Sequence, residues 1–152
     1  MGVEHILLVE DDEFKQEPIE AAIRELHPLA TLHVARSVQQ AVKLLRARPY
    51  GFVVLDIALP SHESRAGGAQ PISQPSGGIE ILLELSYDGR EDPVIIVTQY
   101  PEIEYNGRFH TLPRARRALG AAMDVKIIDV IQFNAQDHAW RRKFGEALAC
   151  GR

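Results

Sequence analysis

Short apolar runs alternate along this chain with longer stretches in which apolar residues recur at helical spacing. His5-Ile6-Leu7-Leu8-Val9 is continuous and ends abruptly in Glu10-Asp11-Asp12, which predicts a parallel strand buried on both faces. Phe14, Ile19, Ala22, Ile23 and Leu26 then recur as one face of a helix, with Pro28 as its stop. Pro18 lies inside that pattern, so the helix is expected to begin near Lys15, where the missing N–H falls in the first turn. Thr31–Ala35 reads as a second strand. Ser37 is positioned to cap a helix whose apolar face is Val38, Ala41, Val42 and Leu45. Tyr50–Asp56 is a third strand, again ending in an acid, and Gly78–Leu85 a third helix. Pro93–Thr98 is a fourth strand whose proline takes the first position, where it removes no central ladder bond. Leu112–Ala122 is a fourth helix, Val125–Phe133 a fifth strand, and Ala135–Ala149 a fifth helix with Trp140, Phe144 and Leu148 four apart.

Five apolar strands alternating with five helices imply an α/β fold with a parallel sheet covered on both faces. Right-handed crossovers make that sheet doubly wound. The expected architecture is flavodoxin-like (βα)5, strand order 2-1-3-4-5, in a single domain over residues 1–152.

Two connections break the economy of this pattern. Residues 61–77 hold four Ser, three Gly and two Pro, with Ile72 the only large apolar residue. They are expected to form an inserted flexible loop after the third strand. Residues 99–111 form an extended loop after the fourth strand, where Tyr100, Tyr105 and Phe109 offer surface to hold it down.

Composition narrows the class further. A formal charge of −4 gives no bulk attraction for nucleic acid or for a membrane surface. The single cysteine, Cys150, allows no internal disulfide and suits a reducing compartment. No signal peptide opens the chain and no run reaches the ~20 apolar residues of a membrane span. A cytoplasmic protein is expected.

The chemistry lies at the strand ends. In an open parallel sheet, ligands bind beyond the carboxyl ends of the strands, where the strand order reverses. The first strand ends in Glu10-Asp11-Asp12, the third in Asp56 and the fourth in Thr98, and the proposed order makes these three strands adjacent. Converging carboxylates repel one another, and Mg²⁺ is a hard cation suited to them. Beside such a metal, a free aspartate can accept a phosphoryl group as an acyl phosphate, and a nearby hydroxyl can hydrogen-bond a phosphoryl oxygen. Asp12 alone has a simpler reading as a helix N-cap.

Ile6–Asp12 (ILLVEDD), Val53–Pro60 (VVLDIALP) and Val94–Thr98 (VIIVT) together resemble the receiver domains of response regulators in order and spacing. The resemblance covers nearly the whole chain outside the two loops. It implies that Glu10 and Asp11 are the acidic pair that holds Mg²⁺, with Asp56 and the carbonyl of Ala58 completing the metal site. It also implies that Asp56 is the phosphorylated residue, that Thr98 moves toward the phosphoryl group, and that Gly78 opens the third helix. That glycine normally follows the proline by about four residues; here Pro60 and Gly78 are eighteen apart.

The chain also departs from the family. The lysine that normally ends the fifth strand is replaced by Ile131 or Gln132. Lys126 is expected at the start of that strand, about 20 Å away at ~3.3 Å per residue. The aromatic switch position falls near Asp129, and Gln99 is bulkier than the residue usual after Thr98.

Other signals carry less. The six histidines include no pair with ligand spacing on one element. Arg114, Arg116, Arg117 and the Arg141–Lys143 run read as solvated helix faces.

Two functions follow as expectations. One is a two-component phosphorelay protein, phosphorylated on Asp56 with Mg²⁺ by a histidine kinase or phosphotransfer protein. The other is a degenerate receiver that binds a protein partner independently of phosphorylation. Neither is an enzyme in the ordinary sense, although a receiver takes part in its own phosphoryl transfer. A hydrolase using Asp56 is disfavoured, because such enzymes place a second carboxylate where Ala58 stands. An output domain is not seen after the fifth helix, so a downstream protein partner or a longer parent chain is expected. A homodimer stays open.

Overall fold

The computed structural model describes residues 3–60, 73–74 and 77–150. Five strands, β1 (His5–Val9), β2 (Thr31–Ala35), β3 (Phe52–Leu55), β4 (Val94–Thr98) and β5 (Ile127–Gln132), form one parallel sheet in the order β2-β1-β3-β4-β5. Five helices connect and cover them: α1 (Glu13–Leu26), α2 (Val38–Ala47), α3 (Gly77–Tyr87), α4 (Leu112–Met123) and α5 (Ala139–Cys150). This is the expected flavodoxin-like arrangement.

Alternation along the strands divides the core in two. Ile6, Leu8, Phe52, Val54, Ile95, Val97 and Ile131 face α1 and α5, where they meet Ile19, Ile23, Trp140 and Phe144. Leu7, Val9, Val53, Leu55, Val94 and Ile96 face the opposite layer of α2, α3 and α4. The central strands β1, β3 and β4 are almost entirely buried. Continuous apolar runs are what two covered faces require.

Local chemistry sets the helix starts. Asp12 accepts from the Phe14 N–H at 3.0 Å and Ser37 from the Gln40 N–H at 3.1 Å, both as N-caps. Two expectations for α1 need correction. It begins at Glu13, two residues earlier than the proline suggests, so Pro18 is the sixth helical residue and removes one interior bond. Phe14, read as part of the inner face, is 90% exposed, whereas Lys15 beside it is 2% exposed.

The connection after β4, expected as an extended loop, is more ordered than that. Glu102–Tyr105 and Arg108–Thr111 pair as an antiparallel ribbon. Asn106 and Gly107, at φ 57° and 76°, form its two-residue turn. Ile103, 3% exposed, anchors the ribbon in the core beside the partly buried Tyr105; Tyr100 and Phe109 stay exposed. The flexible loop expected over 61–77 lies outside the described residues, except that Ser73–Gln74 pairs with Leu59–Pro60 and Gly77 begins α3.

Candidate acceptor site

The carboxyl ends of β1, β3 and β4 meet at one cleft. The Asp56 N–H donates to the Val9 carbonyl at 3.3 Å, and the Glu10 N–H to that of Ala35 at 2.9 Å, so backbone bonds lock the acidic ends to neighbouring strands. Glu10 is 1% exposed and Asp56 6%. Gly78 brings the first turn of α3 against this strand end. A Cβ there would collide with the Asp56 carbonyl oxygen and the Ile57 Cα, so only glycine lets the helix approach so closely.

Both oxygens of the Asp56 carboxylate are engaged. Oδ1 accepts the Ile57 N–H at 2.7 Å, and Oδ2 pairs with the Lys15 Nζ at 2.8 Å. The same ammonium lies 2.7 Å from Glu10 Oε1 and donates to the Val97 carbonyl at 2.7 Å. Three N–H donors thus meet three acceptors, and the charge is fully satisfied away from water. Glu10 Oε2 accepts the Asp12 N–H at 3.3 Å.

Lys15 was not among the residues that the motifs point to. A lysine among acids at a helix start reads as solvent-facing. The signal for it is periodic: positions 15, 19, 22 and 23 form the buried stripe of α1, and Lys15 is its first member.

Burial pushes the Glu10 carboxyl up to about 7, against the downward pull of Lys15 and with Asp56 adding to the rise. Asp11 is exposed by comparison but is also raised, first by partial desolvation and then by the charges of Asp56 and Asp12.

Thr98 is 1% exposed, and its Oγ1 accepts the Tyr100 N–H at 3.2 Å. Ala58 and Thr98 line the same shallow groove, which continues over Ile103 and Phe109 of the ribbon. Gln99 is exposed, and its carbonyl accepts from Gln132 Nε2 at 3.4 Å. Ile131 is buried in the core layer of α1 and α5. Lys126 precedes β5 at the far end of the sheet, where its carbonyl accepts the Val94 N–H. Thr98 pairs with Gln132 at the near end. Strand β5 therefore brings no cation to the cleft.

The oxygen donors Glu10, Asp11, Asp56 and the Ala58 carbonyl have the right chemistry for a hard divalent ion. Among the described residues, however, no three acidic, histidine or cysteine side chains converge as metal ligands. Glu10 and Asp56 are turned onto Lys15 instead.

No family profile matches the chain. It is 35% identical over 149 residues to the Detocs response regulatory protein DtcB of Vibrio alginolyticus, an alignment covering 94% of this chain and 98% of that protein. The chain belongs to the response-regulator family. Solved receivers share its fold at low identity. The chemotaxis response regulator CheY4 of Vibrio cholerae superposes with a TM-score of 0.61 at 12% identity, covering 95% of this chain and 98% of that one. The receiver domain of sensor histidine kinase PA1611 from Pseudomonas aeruginosa, whose structure has magnesium coordinated in its active-site cleft, gives 0.58 at 20% identity and covers 98% and 99%. Within the described part of this receiver, no helix is long and apolar enough to cross a membrane.

Proposed function

We propose that this receiver accepts a phosphoryl group on Asp56, with Mg²⁺ as cofactor, from a phosphohistidine of a histidine kinase or phosphotransfer protein. The observation that carries the reading is the buried Asp56 carboxylate, held at a strand end beside Glu10 and Thr98 and paired with a cation. In the transfer, the N–P bond of a protonated phosphoimidazole breaks as an O–P bond forms to an Asp56 carboxylate oxygen, and neutral imidazole leaves. The Ile57 N–H and the Lys15 ammonium orient the carboxylate, and such fixed donors act without reorganising during the reaction. Glu10, Asp11, Asp56 and the Ala58 carbonyl would hold Mg²⁺, with Glu10 and Asp56 shared between the ion and Lys15; when bound it would neutralise charge on the phosphoryl oxygens. Thr98 lies at the adjoining strand end; its Oγ1 accepts the Tyr100 N–H, which leaves its own O–H to donate to a phosphoryl oxygen. The setting would be the cytoplasm, with a downstream protein as the recipient of the signal.

Incubation with acetyl phosphate and Mg²⁺, followed by intact-mass measurement, is the test. One phosphoryl group is expected on the wild type and none on Asp56→Asn. No gain on the wild type, under conditions that label an ordinary receiver, counts against the proposal.

A second reading, a receiver that binds its partner without phosphorylation, is favoured by the uncharged end of β5. It predicts that Asp56→Asn leaves partner binding unchanged.

A further inference from the structure

Receivers of the expected kind place a lysine at the end of the fifth strand, and this chain has none there. We propose that Lys15, delivered from the first turn of α1, is the catalytic lysine of this receiver: its ammonium pairs with Asp56 before transfer and with the phosphoryl group afterwards. The inference rests on the acceptor reading above and assigns one of its working groups.

Position is the first argument. Lys15 Nζ lies 2.8 Å from Asp56 Oδ2, an atom of the reacting carboxylate, and 2.7 Å from the Val97 carbonyl, the residue before Thr98. The ammonium therefore spans the cleft from Glu10 on one side to the end of β4 on the other. Among the described residues, no other basic side chain pairs with Glu10 or Asp56.

Charge is the second. With acetyl phosphate as donor, the P–O bond to acetate breaks, acetate leaves with one negative charge, and the new O–P bond carries a dianionic phosphoryl group on Asp56. One carboxylate charge at the site becomes two phosphoryl charges. A buried ammonium already within hydrogen-bonding distance meets that increase with little movement, by exchanging its bond to Asp56 Oδ2 for one to a phosphoryl oxygen.

Local design is the third. The Asp12 cap fixes the start of α1, and Lys15 then occupies the inner stripe where an apolar residue would satisfy the helix equally well. Burying a lysine stem and its charge is costly unless its partners are in place. Here the partners are two acids of the cleft.

The test compares wild type, Lys15→Arg and Lys15→Met, labelled by acetyl phosphate in saturating Mg²⁺ and followed by intact mass. Arginine keeps the charge and protects the fold, but its planar fork cannot give single donors to Glu10, Asp56 and Val97 from one point. Removing one charge-stabilising donor from a preorganised site slows reactions by ~10²–10³. Labelling should therefore fall by at least about tenfold in Lys15→Met, and measurably in Lys15→Arg at an unfolding midpoint close to wild type. Equal labelling of all three proteins overturns the role of Lys15 and leaves Asp56 as acceptor. An unlabelled wild type overturns both. If Lys15→Met does not fold, the Lys15→Arg rate decides.

Discussion

The two sides of the site around Asp56 are built from different materials. On the β1–α1 side, Glu10, Lys15 and Asp56 form a buried charge cluster in which one ammonium bridges two carboxylates, with the Asp12 cap fixing the helix that delivers the lysine. On the β4–β5 side, the strand ends carry Thr98, Gln99 and Gln132, which make weak or local bonds, beneath a ribbon anchored by Ile103. Charge neutralisation is concentrated on one side, and the other is held by apolar packing. The fifth strand ends without a lysine, yet a cation delivered from α1 reaches Asp56.

The difference predicts unequal sensitivity to mutation. Lys15→Met should be the most damaging single change, because it leaves two buried carboxylates unpaired; breaking a buried pair costs about 3–5 kcal/mol. Urea unfolding at neutral pH measures this, and a loss no greater than that of a surface substitution would erase the contrast between the two sides. Ile103→Ala should cost about 2–4 kcal/mol by cavity formation. A much smaller loss would show that the ribbon is not an integral part of the core.

Protonation gives a third probe. The folded-state pKa of Glu10 is raised from an ordinary 4.5 to about 7. Below the ordinary value, folded and unfolded chains are both protonated. As pH rises from there toward the folded value, the unfolded chain loses its proton first, so this group makes the fold progressively less stable. Glu10→Gln should remove that slope, and its stability relative to wild type should be greater at pH 7.5 than at pH 4.5, by on the order of 1–3 kcal/mol. An unchanged difference between the two pH values would contradict the burial of this charge. The smallest effect belongs to Gln132→Ala, within about 0.5 kcal/mol, as expected of an exposed side chain.

Much of this was legible in the sequence. The continuous strands, the caps at Asp12 and Ser37, and the convergence of Glu10, Asp56 and Thr98 follow from periodicity and strand adjacency. Lys15 was hidden because a lysine reads as solvated, whereas here the ammonium itself is buried on two carboxylates and a carbonyl. The ribbon was hidden differently. Glu102–Tyr105 and Arg108–Thr111 flank Asn106-Gly107, a strong two-residue hairpin signal, but the segments on either side are short, so the connection reads as an extended loop. Phe14 shows the converse error, an aromatic residue assigned to the core that points outward.

In the proposed function, Asp56 takes the phosphoryl group. Treating the protein with acetyl phosphate and Mg²⁺, trapping the acyl phosphate with borohydride and mapping the modified peptide tests this most directly. Modification confined to residue 56, and lost in Asp56→Asn, is the predicted result. A protein that gains no phosphoryl group, or gains it at another residue with Asp56 unmodified, would contradict the account.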